Sequence, residues 1–371
     1  MQMYNVIIIG GGLAGLTAAI DLSQQGLEVL LIEKDEYPKH KVCGEYVSNE
    51  VLPYLTTLGI HLQDIKPDPI QQLLLSSRNG NSVRVKLPLG GFGVSRYALD
   101  YLLYTKAKSN GVEFQFETAT EVVFEDQHFS ISTSTHTFYS EIAIGSFGKR
   151  SGLDKKLNRS FIQNKTPWVG IKAHYQNAEF PKGEVQLHNF DGGYCGLSKT
   201  ETGAVNFCYL AHYDSFKTAK SIKDFNETVL AKNPHLSLFL KTSELQFDKH
   251  LAISQVSFQR KNAVEHHMLM AGDSAGLIHP LCGNGMAMAI HSAKLVSDEI
   301  RNYRSHQQRE KLEENYTQVW QQTFQKRLKF GAVFQNILLQ PQLTNLAMLA
   351  VSKSPSLLKQ LIKQTHGKPI S

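Results

Sequence analysis

Two apolar runs near the start of the chain flank a glycine-rich turn and a helix-like segment. The first run is Val6–Ile9, residues 10–15 read Gly-Gly-Gly-Leu-Ala-Gly, and residues 16–25 have the composition of a helix. The second run, Val29–Ile32, ends on Glu33. This order predicts a strand, a turn, a helix and a second strand with a carboxylate at its end.

The rest of the pattern divides into mixed, strand-rich and helical stretches. Asn79-Gly80 predicts a hairpin between two strands within 70–88. Residues 168–210 alternate like an antiparallel sheet with several turns, and most of the chain after Gly283 is helical in pattern. We predict further helices over 48–58, 95–110, 221–232 and 287–304, and strands near 112–116, 119–125, 128–134, 138–146, 252–258 and 268–271.

These elements predict an α/β (α+β) fold with a discontinuous Rossmann-type nucleotide-binding domain and an inserted antiparallel β-sheet substrate domain. No linker of low complexity separates two halves, so the second domain is expected to be inserted rather than appended. The predicted bounds are 1–66, 94–165 and 260–330 for the nucleotide-binding domain, 67–93 and 166–259 for the substrate domain, and 331–371 for C-terminal helices that Pro341 and Pro355 interrupt.

The glycine turn carries the first candidate chemistry. Gly10 permits a tight turn, Gly12 lets the backbone approach a pyrophosphate, and Gly15 allows close packing of helix on strand. The helix start offers N–H groups to phosphates, and Glu33 can accept hydrogen bonds from ribose hydroxyls. The alternative is a glycine-rich turn in an ordinary βαβ unit.

A second constellation lies about 260 residues downstream, where a predicted strand ends on Gly272-Asp273 and residues 283–286 open a long helix. A carboxylate at a strand end can bind the hydroxyls of a sugar-like chain, and a helix start can stabilise negative charge on a ring carbonyl. FAD offers both groups, in its ribityl chain and its pyrimidine edge, whereas NAD does not. Asp273 could instead merely cap the following turn.

Composition limits the alternatives. Hydrophobic residues make up 42% and charged residues 19% of the 371, as in ordinary globular proteins. The formal net charge of +6 suits an anionic ligand or an acidic protein partner, and its spread gives no nucleic-acid pattern. The four cysteines lie far apart and are expected to be thiols. With no spanning segment and no room for a cleavable signal, we expect a cytoplasmic protein.

With these motifs together, the chain resembles the FAD-dependent oxidoreductases that include geranylgeranyl reductases and p-hydroxybenzoate hydroxylase-like monooxygenases, with flavin-dependent halogenases as relatives. The resemblance covers essentially the whole length. The residues that carry it are Gly10-x-Gly12-x-x-Gly15 with Glu33, Lys41-Val42-Cys43-Gly44-Glu45, Ser95-Arg96-x-x-Leu99-Asp100-x-x-Leu103, Gly272-Asp273, Pro280 and Gly283-Asn284-Gly285.

The resemblance implies FAD as cofactor and a set of contacts to it. Arg96 would contact FAD, Asp273 would hold the ribityl chain, and Val122 would touch adenine through its backbone. Cys43 would lie beside the isoalloxazine. The full set of expected cofactor contacts is Gly10, Gly12, Leu13, Ala14, Gly15, Glu33, Lys34, Cys43, Gly44, Arg96, Val122, Asp273, Gly283, Asn284, Gly285 and Met286.

Two departures from the family pattern bear on the reaction. The Asp-Gly pair that usually follows the strand ending at Ile144-Gly145 is replaced by Phe147-Gly148, so the electron donor is open: NAD(P)H visiting transiently or an external reductase. The tryptophan-containing stretch typical of geranylgeranyl reductases is absent at 193–198. That absence favours a monooxygenase acting on a hydrophobic, aromatic or carrier-bound substrate over a double-bond reductase.

Two hypotheses from other functional classes stay open. One is a non-redox, flavin-dependent cyclase or isomerase of the lycopene-cyclase type. The other is a cofactor-free binding protein like the Rab escort proteins, against which Glu33, Arg96 and Asp273 argue.

The candidate catalytic residues are Cys43 and His279, each with packing as the alternative role. Tyr194 and Cys195 are candidates for the substrate face of the sheet. No metal site is predicted, because His266-His267 lacks partner ligands at suitable spacing. An acyl or peptidyl carrier protein is a possible partner, and the basic amphipathic C-terminal segment is a candidate for peripheral membrane contact.

Overall fold

The structure is a computed structural model that describes residues 2–279, 283–340, 343 and 355–370. It contains two mixed β-sheets with helices packed around them. The strands are β1 (Met3–Ile9), β2 (Val29–Ile32), β3 (Tyr46–Ser48), β4 (Asp68–Ser76), β5 (Ser82–Gly93), β6 (Glu113–Gln115), β7 (Glu121–Glu125), β8 (His128–Ser132), β9 (Thr137–Gly145), β10 (Trp168–Gln176), β11 (Glu184–Phe190), β12 (Gly193–Lys199), β13 (Val205–His212), β14 (Glu244–Leu245), β15 (Leu251–Ser254), β16 (Val264–Glu265) and β17 (Met268–Met270).

The helices of the described residues lie between and after these strands. They are α1 (Leu13–Gln24), α2 (Leu52–Thr57), α3 (Arg96–Ser109), α4 (Gly152–Lys156), α5 (Tyr213–Phe216), α6 (Ile222–Thr228), α7 (Pro234–Thr242), α8 (Gly285–His306), α9 (Arg309–Leu339) and α10 (Pro355–Thr365). Within the described residues, no helix is both long enough and apolar enough to cross a bilayer.

The first sheet has the order β16-β17-β9-β1-β2-β6, with β8 beside β9 and β7 beside β8. Strands β17, β9, β1, β2 and β6 run parallel, so their carboxyl ends meet at one edge. Strand β1 is apolar along its buried length because helices cover the sheet. The glycine turn after β1, Glu33 after β2 and the Gly272–Ser274 turn after β17 therefore lie at that same edge.

The second sheet has the order β14-β10-β13-β12-β11-β4-β5-β3, with β15 also paired to β10. The predicted hairpin at Asn79-Gly80 joins β4 to β5. The predicted antiparallel pairing over 168–210 is confirmed for β10 to β13, whereas β11 also pairs with β4 in parallel. That pairing arises because β4 and β11 come from separate segments of the chain, so no hairpin dictates their direction.

Helices cover both faces of the second sheet. Phe225 of α6 and Phe239 of α7 belong to the apolar core on one face, where the Phe239 ring stacks on Phe207 of β13. Leu358 and Ile362 of α10 pack against β4 and β5. The predicted helix over 221–232 is shorter, and α7 was not predicted. Pro280, Cys282 and Pro341 lie outside the described residues. The domain bounds stay a prediction, and α9 runs across the expected boundary at 330.

Candidate functional site

The glycine turn after β1 has no room for other residues at two positions. Gly10 has a φ of +105°, and a methyl group there would lie 2.5 Å from the carbonyl oxygen of Ser146. A methyl group at Gly15 would lie 2.0 Å from the carbonyl oxygen of Gly10, so α1 packs directly on the turn. Glu33 is buried, and its Oε2 accepts the N–H of Gly11 at 2.6 Å. Turn, helix start and carboxylate thus form one unit.

The start of α1 lacks a side-chain cap. Its N-cap is Gly12, which has no side chain to bond the first N–H groups, and its first turn carries no acidic residue. By contrast, α3 and α7 are capped by Ser95 and Asn233. A buried helix start without a cap leaves backbone donors that a ligand can satisfy. Residues Leu13 and Ala14, expected to contact FAD, form this first turn.

Arg96 supplies positive charge next to that start. The Arg96 Nη2 atom would lie 3.7 Å from a methyl group placed on Gly12. Its guanidinium binds Asp100 through two hydrogen bonds, of 2.7 and 2.8 Å, and Lys41 binds the same carboxylate at 3.0 Å. Burial would lower the pKa of Arg96, but Asp100 outweighs it and raises the pKa. Two cations and one carboxylate leave a net positive charge facing Gly12.

Asp273 and the start of α8 lie next to the first helix start. A methyl group on Gly272 would lie 3.0 Å from the Cβ of Ala14, which brings the β17 turn against α1. Asp273 and Gly285 line the same narrow void. The N-cap of α8 is Asn284, whose side chain does not cap the helix in the described part of the chain, and the first turn has no acidic residue. A second uncapped start therefore lies beside Asp273, and Met286 is buried within it.

A buried carboxylate that sequence reasoning missed holds the second start. Glu50 is fully buried and accepts hydrogen bonds from Asn284 Nδ2 at 3.3 Å and Arg327 Nη1 at 3.2 Å. It also accepts the backbone N–H of Gly367. Glu50 thus ties α8, α9 and the C-terminal tail together. A methyl group on Gly283 would lie 3.4 Å from the Tyr46 ring, so Tyr46 also lies near the start of α8.

A second missed cluster surrounds Glu45. This fully buried residue, at a φ of +53°, accepts hydrogen bonds from Lys172 Nζ at 2.5 Å and the Arg96 N–H at 2.8 Å. Its other oxygen lies 2.6 Å from His174 Nε2. Burial would raise the pKa of Glu45, but Lys172 and His174 outweigh burial and lower it. The signal in the sequence was Lys172 and His174 two apart in an otherwise apolar strand.

His40 joins this cluster without making it a good cation site. Ligand atoms of His40, Glu45 and His174 lie within 4.8 Å of one another. Lys172 already neutralises the only carboxylate, and its ammonium would repel a bound cation. Burial first, and Lys172 second, lower the pKa of His40 to about 4. The cluster is better suited to holding the loop that Cys43 and Gly44 belong to.

That loop is fixed against the second sheet. Asn206 Nδ2 donates to the Cys43 carbonyl at 3.2 Å, and Ser198 Oγ donates to the Gly44 carbonyl at 3.4 Å. The half-buried Cys43 is near enough to the Arg96 guanidinium to add, after Asp100, to the rise in the pKa of Arg96. The structure therefore brings Cys43, Gly44 and Arg96 together next to the glycine turn.

The candidate substrate residues lie on opposite faces of the second sheet. Tyr194 and Cys195 are neighbours in β12, so their side chains point to opposite faces. The Tyr194 ring lies 5.8 Å from the His279 ring. Cys195 lies in the opposite apolar core with Phe207 and Tyr209, where burial raises its pKa. Tyr194 and His279 therefore face each other, and Cys195 does not.

Two further expected cofactor contacts are Lys34, which follows Glu33, and Val122. Lys34 is exposed, and its Nζ is 3.9 Å from Asp35. Val122 is half-buried in β7, opposite Ile131.

The residues present fit FAD. Two uncapped helix starts, two strand-end carboxylates and a cationic side chain lie along one sheet edge. A side chain at Gly12 would project toward Arg96, so glycine keeps that space free. Phosphates, ribose hydroxyls and a ring carbonyl are the groups that such donors and acceptors take.

Comparison with known sequences gives the family. The family described as FAD binding domain matches residues 3–330, most of the chain. The chain belongs to the FAD binding domain family. The predicted resemblance to FAD-dependent oxidoreductases and the α/β fold with a Rossmann-type domain are confirmed. For this flavoprotein family member, the individual contacts named above stay predictions.

Several known proteins are similar to the flavoprotein. Conditioned medium factor receptor 1 of Dictyostelium discoideum is 22% identical over 80% of the chain and 63% of its own length. The 1H-pyrrole-2-carbonyl peptidyl-carrier-protein brominase of Pseudoalteromonas luteoviolacea is 27% identical over 48% of the chain and 46% of its own length. The match thus spans less than two thirds of these two relatives. Menaquinone reductase of Mycobacterium tuberculosis is 24% identical over 79% of the chain and 76% of its own length.

The fold is also that of a solved structure. The flavin-dependent brominase Bmp2 superposes with a TM-score of 0.80, covering 98% of the chain and 93% of the brominase at 17% identity. At that identity the likeness establishes the fold and leaves the reaction to be argued from the site.

Proposed function

We infer that this flavoprotein is an FAD-dependent oxidoreductase that uses oxygen to modify a small organic substrate, as a monooxygenase-type enzyme. The observation that carries the inference is the pair of uncapped helix starts beside Glu33 and Asp273 at one sheet edge. One end suits the ADP half of FAD and the other suits its flavin half.

Each group of the chain has a distinct task in this proposal. The N–H groups of Gly12 to Ala14 and the Arg96 guanidinium bind the phosphates, and Glu33 binds the ribose. Asp273 binds the ribityl chain, and the α8 start stabilises negative charge on the flavin ring. FAD, when bound, supplies the electron transfer and the reaction with oxygen. NAD(P)H is proposed as the transient reductant.

The substrate side is proposed to lie between the second sheet and the loop after β17. Tyr194, His279 and Trp168 meet there, with the Trp168 and His279 rings 6.5 Å apart. A cavity of about 480 Å³ adjoins His279. That volume is in the range of pockets for small ligands, at about 300–1,000 Å³. The basic net charge and the carrier-protein brominase relative together support an acidic carrier protein as a possible partner.

A second candidate reaction is the reduction of a carbon–carbon double bond. Menaquinone reductase matches a larger share of its own length than the brominase does, and this favours the reductase. The absence of the tryptophan stretch at 193–198 and the limited cavity favour the oxygen-using reaction.

Stopped-flow spectra with NADH and NADPH separate the two reactions. The protein is reduced without oxygen, and re-oxidation is then followed with oxygen alone, or with a quinone or polyprenyl substrate alone. Oxygen consumption with re-oxidation in milliseconds to seconds supports the monooxygenase. Rapid re-oxidation by the quinone or polyprenyl substrate without oxygen would contradict the monooxygenase proposal and support the double-bond reductase. A Cys43→Ala variant with unchanged single-turnover rates would remove Cys43 from the proposed chemistry.

A further inference from the structure

One face of the second sheet carries a cluster of polar side chains. In the register of β10 and β13, Lys172 lies opposite Cys208, and His174 lies opposite Asn206. Opposite residues of antiparallel strands project from the same face. Phe207, between Asn206 and Cys208, lies in the apolar core on the other face. The Cys208 thiol therefore projects away from that core, next to Lys172.

The loop that contains Cys43 lies across this cluster. The Val42 Cγ1 atom would lie 3.4 Å from a methyl group on Gly170, and the Cys43 carbonyl accepts Asn206 Nδ2 at 3.2 Å. Gly170 pairs with the residue two places after Cys208, and Asn206 lies two places before it. Cys208 therefore stands between the two points at which the loop touches the sheet. Cys43 and Cys208 are neighbours in space, although they are remote in the chain.

Both thiols are open to small molecules. Cys43 and Cys208 are half-buried, Gly44 is exposed, and the half-buried Gly196 lies opposite Cys208. A methyl group on Gly196 would meet only the Cys208 carbonyl oxygen within 4 Å among the described residues, so there is free space beside the thiol. Cys195, in contrast, is fully buried in the core of the opposite face. Among the described cysteines, the accessible thiols are therefore also the adjacent ones.

The charges around the two thiols give them different reactivities. Cys43 lies near the Arg96 guanidinium, and Lys149 Nζ donates to the Val42 carbonyl at 3.2 Å. Partly exposed thiols next to cations are the ones that peroxides oxidise most readily. Burial first, and Cys43 second, raise the pKa of Cys208 to about 12, so Cys208 is a protonated thiol at neutral pH. Cys43 is therefore expected to react first.

We propose that Cys43 and Cys208 form a reversible, peroxide-sensitive pair, in which hydrogen peroxide converts the two thiols into one disulfide. In the first step the Cys43 sulfur attacks the peroxide. The S–O bond forms, the O–O bond breaks and water leaves, so Cys43 is oxidised to a sulfenic acid. In the second step the Cys208 sulfur attacks the Cys43 sulfur. The S–S bond forms, the S–O bond breaks, and hydroxide leaves as water with the Cys208 proton.

The balance of the two steps is two thiols and one hydrogen peroxide to one disulfide and two waters. The disulfide holds the Cys43 sulfur against β13, so the thiol is lost from the edge of the proposed cofactor site until a thiol reductant restores it. The oxidant is added from outside, and the argument uses only the packing of the loop on the sheet. The proposal therefore does not rest on the proposed function.

Peptide mapping of the full chain tests the link directly. Each of the four cysteines lies in its own tryptic peptide, namely 42–78, 183–199, 200–217 and 262–294 for Cys43, Cys195, Cys208 and Cys282. The reduced protein is treated with hydrogen peroxide, denatured, alkylated and digested without reductant. Mass spectrometry should find 42–78 joined to 200–217, with the loss of two hydrogen atoms. The alkylated fraction of Cys43 and Cys208 should fall about tenfold and return after dithiothreitol.

Three variants test the order of the steps. Cys208→Ser removes the second thiol, so Cys43 should stop at the sulfenic acid, which dimedone traps. Cys43→Ser removes the first step, so Cys208 should stay open to alkylation after peroxide. Cys195→Ala, on the neighbouring strand but the opposite face, is the control and should leave the link unchanged. Thermal unfolding of the reduced variants checks that each is folded, and the mapping of the unsubstituted chain needs none of them.

A reversible link between 42–78 and 200–217 within one chain supports the proposal. Full alkylation of Cys43 and Cys208 after peroxide overturns it, as does a link from Cys43 to the Cys282 peptide or to a second chain. Dimedone labelling of Cys43 as strong in the unsubstituted chain as in Cys208→Ser would also overturn it. The FAD content of each sample is recorded. A chain that forms the link but takes up no flavin would contradict the proposed function and leave this proposal standing.

Discussion

The two helix starts that face the proposed cofactor are held in place in different ways. The start of α1 is fixed mainly by close packing over a short stretch, where a side chain on Gly15 would meet the Gly10 carbonyl, with Ser146 after β9 closing the other side of the turn. The start of α8 is fixed by Glu50, which joins Asn284, Arg327 and the tail at Gly367 across more than 200 residues. One end of the site is therefore determined locally, and the other depends on tertiary contacts.

The largest expected effect comes from disrupting the local end. Gly15→Val would place side-chain atoms on the Gly10 carbonyl, so we expect loss of folded, FAD-binding protein. Thermal unfolding and FAD content measure it. Gly152→Ala is the control, because nothing lies within 4 Å of a methyl group there. A Gly15→Val protein with normal FAD content would contradict the close packing described above.

Disrupting the contacts of Glu50 should weaken the binding of FAD but not the binding of ADP. Glu50→Gln weakens the pairing with Arg327, so we expect FAD binding to fall about tenfold or more while ADP binding stays unchanged. Calorimetry with both ligands measures the difference, and limited proteolysis should show a more accessible C-terminal tail. Glu227→Gln, at an exposed site, is the control. Equal losses for FAD and ADP would show that Glu50 supports the whole fold rather than the α8 end.

Removing the charge of Glu33 should weaken the binding of both ligands rather than of FAD alone. Glu33→Gln loses charge-assisted hydrogen bonds to the ribose, so FAD and ADP should both weaken, each by about tenfold. The two ligands are titrated in parallel. A loss for FAD alone would place Glu33 away from the ADP half.

The difference between the two helix starts also explains which contacts could be predicted from the sequence. The β1-turn-α1-β2 unit and Glu33 followed from residue types and spacing, because the contacts of Gly15 with Gly10 and of Glu33 with Gly11 join residues at most 22 apart in the chain. Glu45 and Glu50 were missed as organising groups, because their partners Lys172, His174 and Arg327 are remote in the chain. A single sequence carries no record of such pairs. The parallel pairing of β11 with β4 was missed for the same reason.

The smallest expected effect concerns pH and the cavity beside the α8 end. Burial lowers the pKa of His279 and of His188 to about 3. The unfolded chain therefore takes up protons below about pH 6.5 that the folded chain does not, and stability falls as the pH drops from about 6.5 toward 4. Chemical denaturation at pH 7, 6 and 5 measures this slope. His279→Leu should make it shallower, and an unchanged slope would contradict a buried neutral His279.

The central claim is that the two helix starts hold opposite ends of one FAD molecule. Titration of the purified, flavin-depleted chain with FAD, followed by flavin absorbance and fluorescence, tests it most directly. The account predicts saturation at one FAD per chain, with ADP competing at weaker affinity. A chain that stays colourless in excess FAD, or binds FAD without competition from ADP, would contradict it.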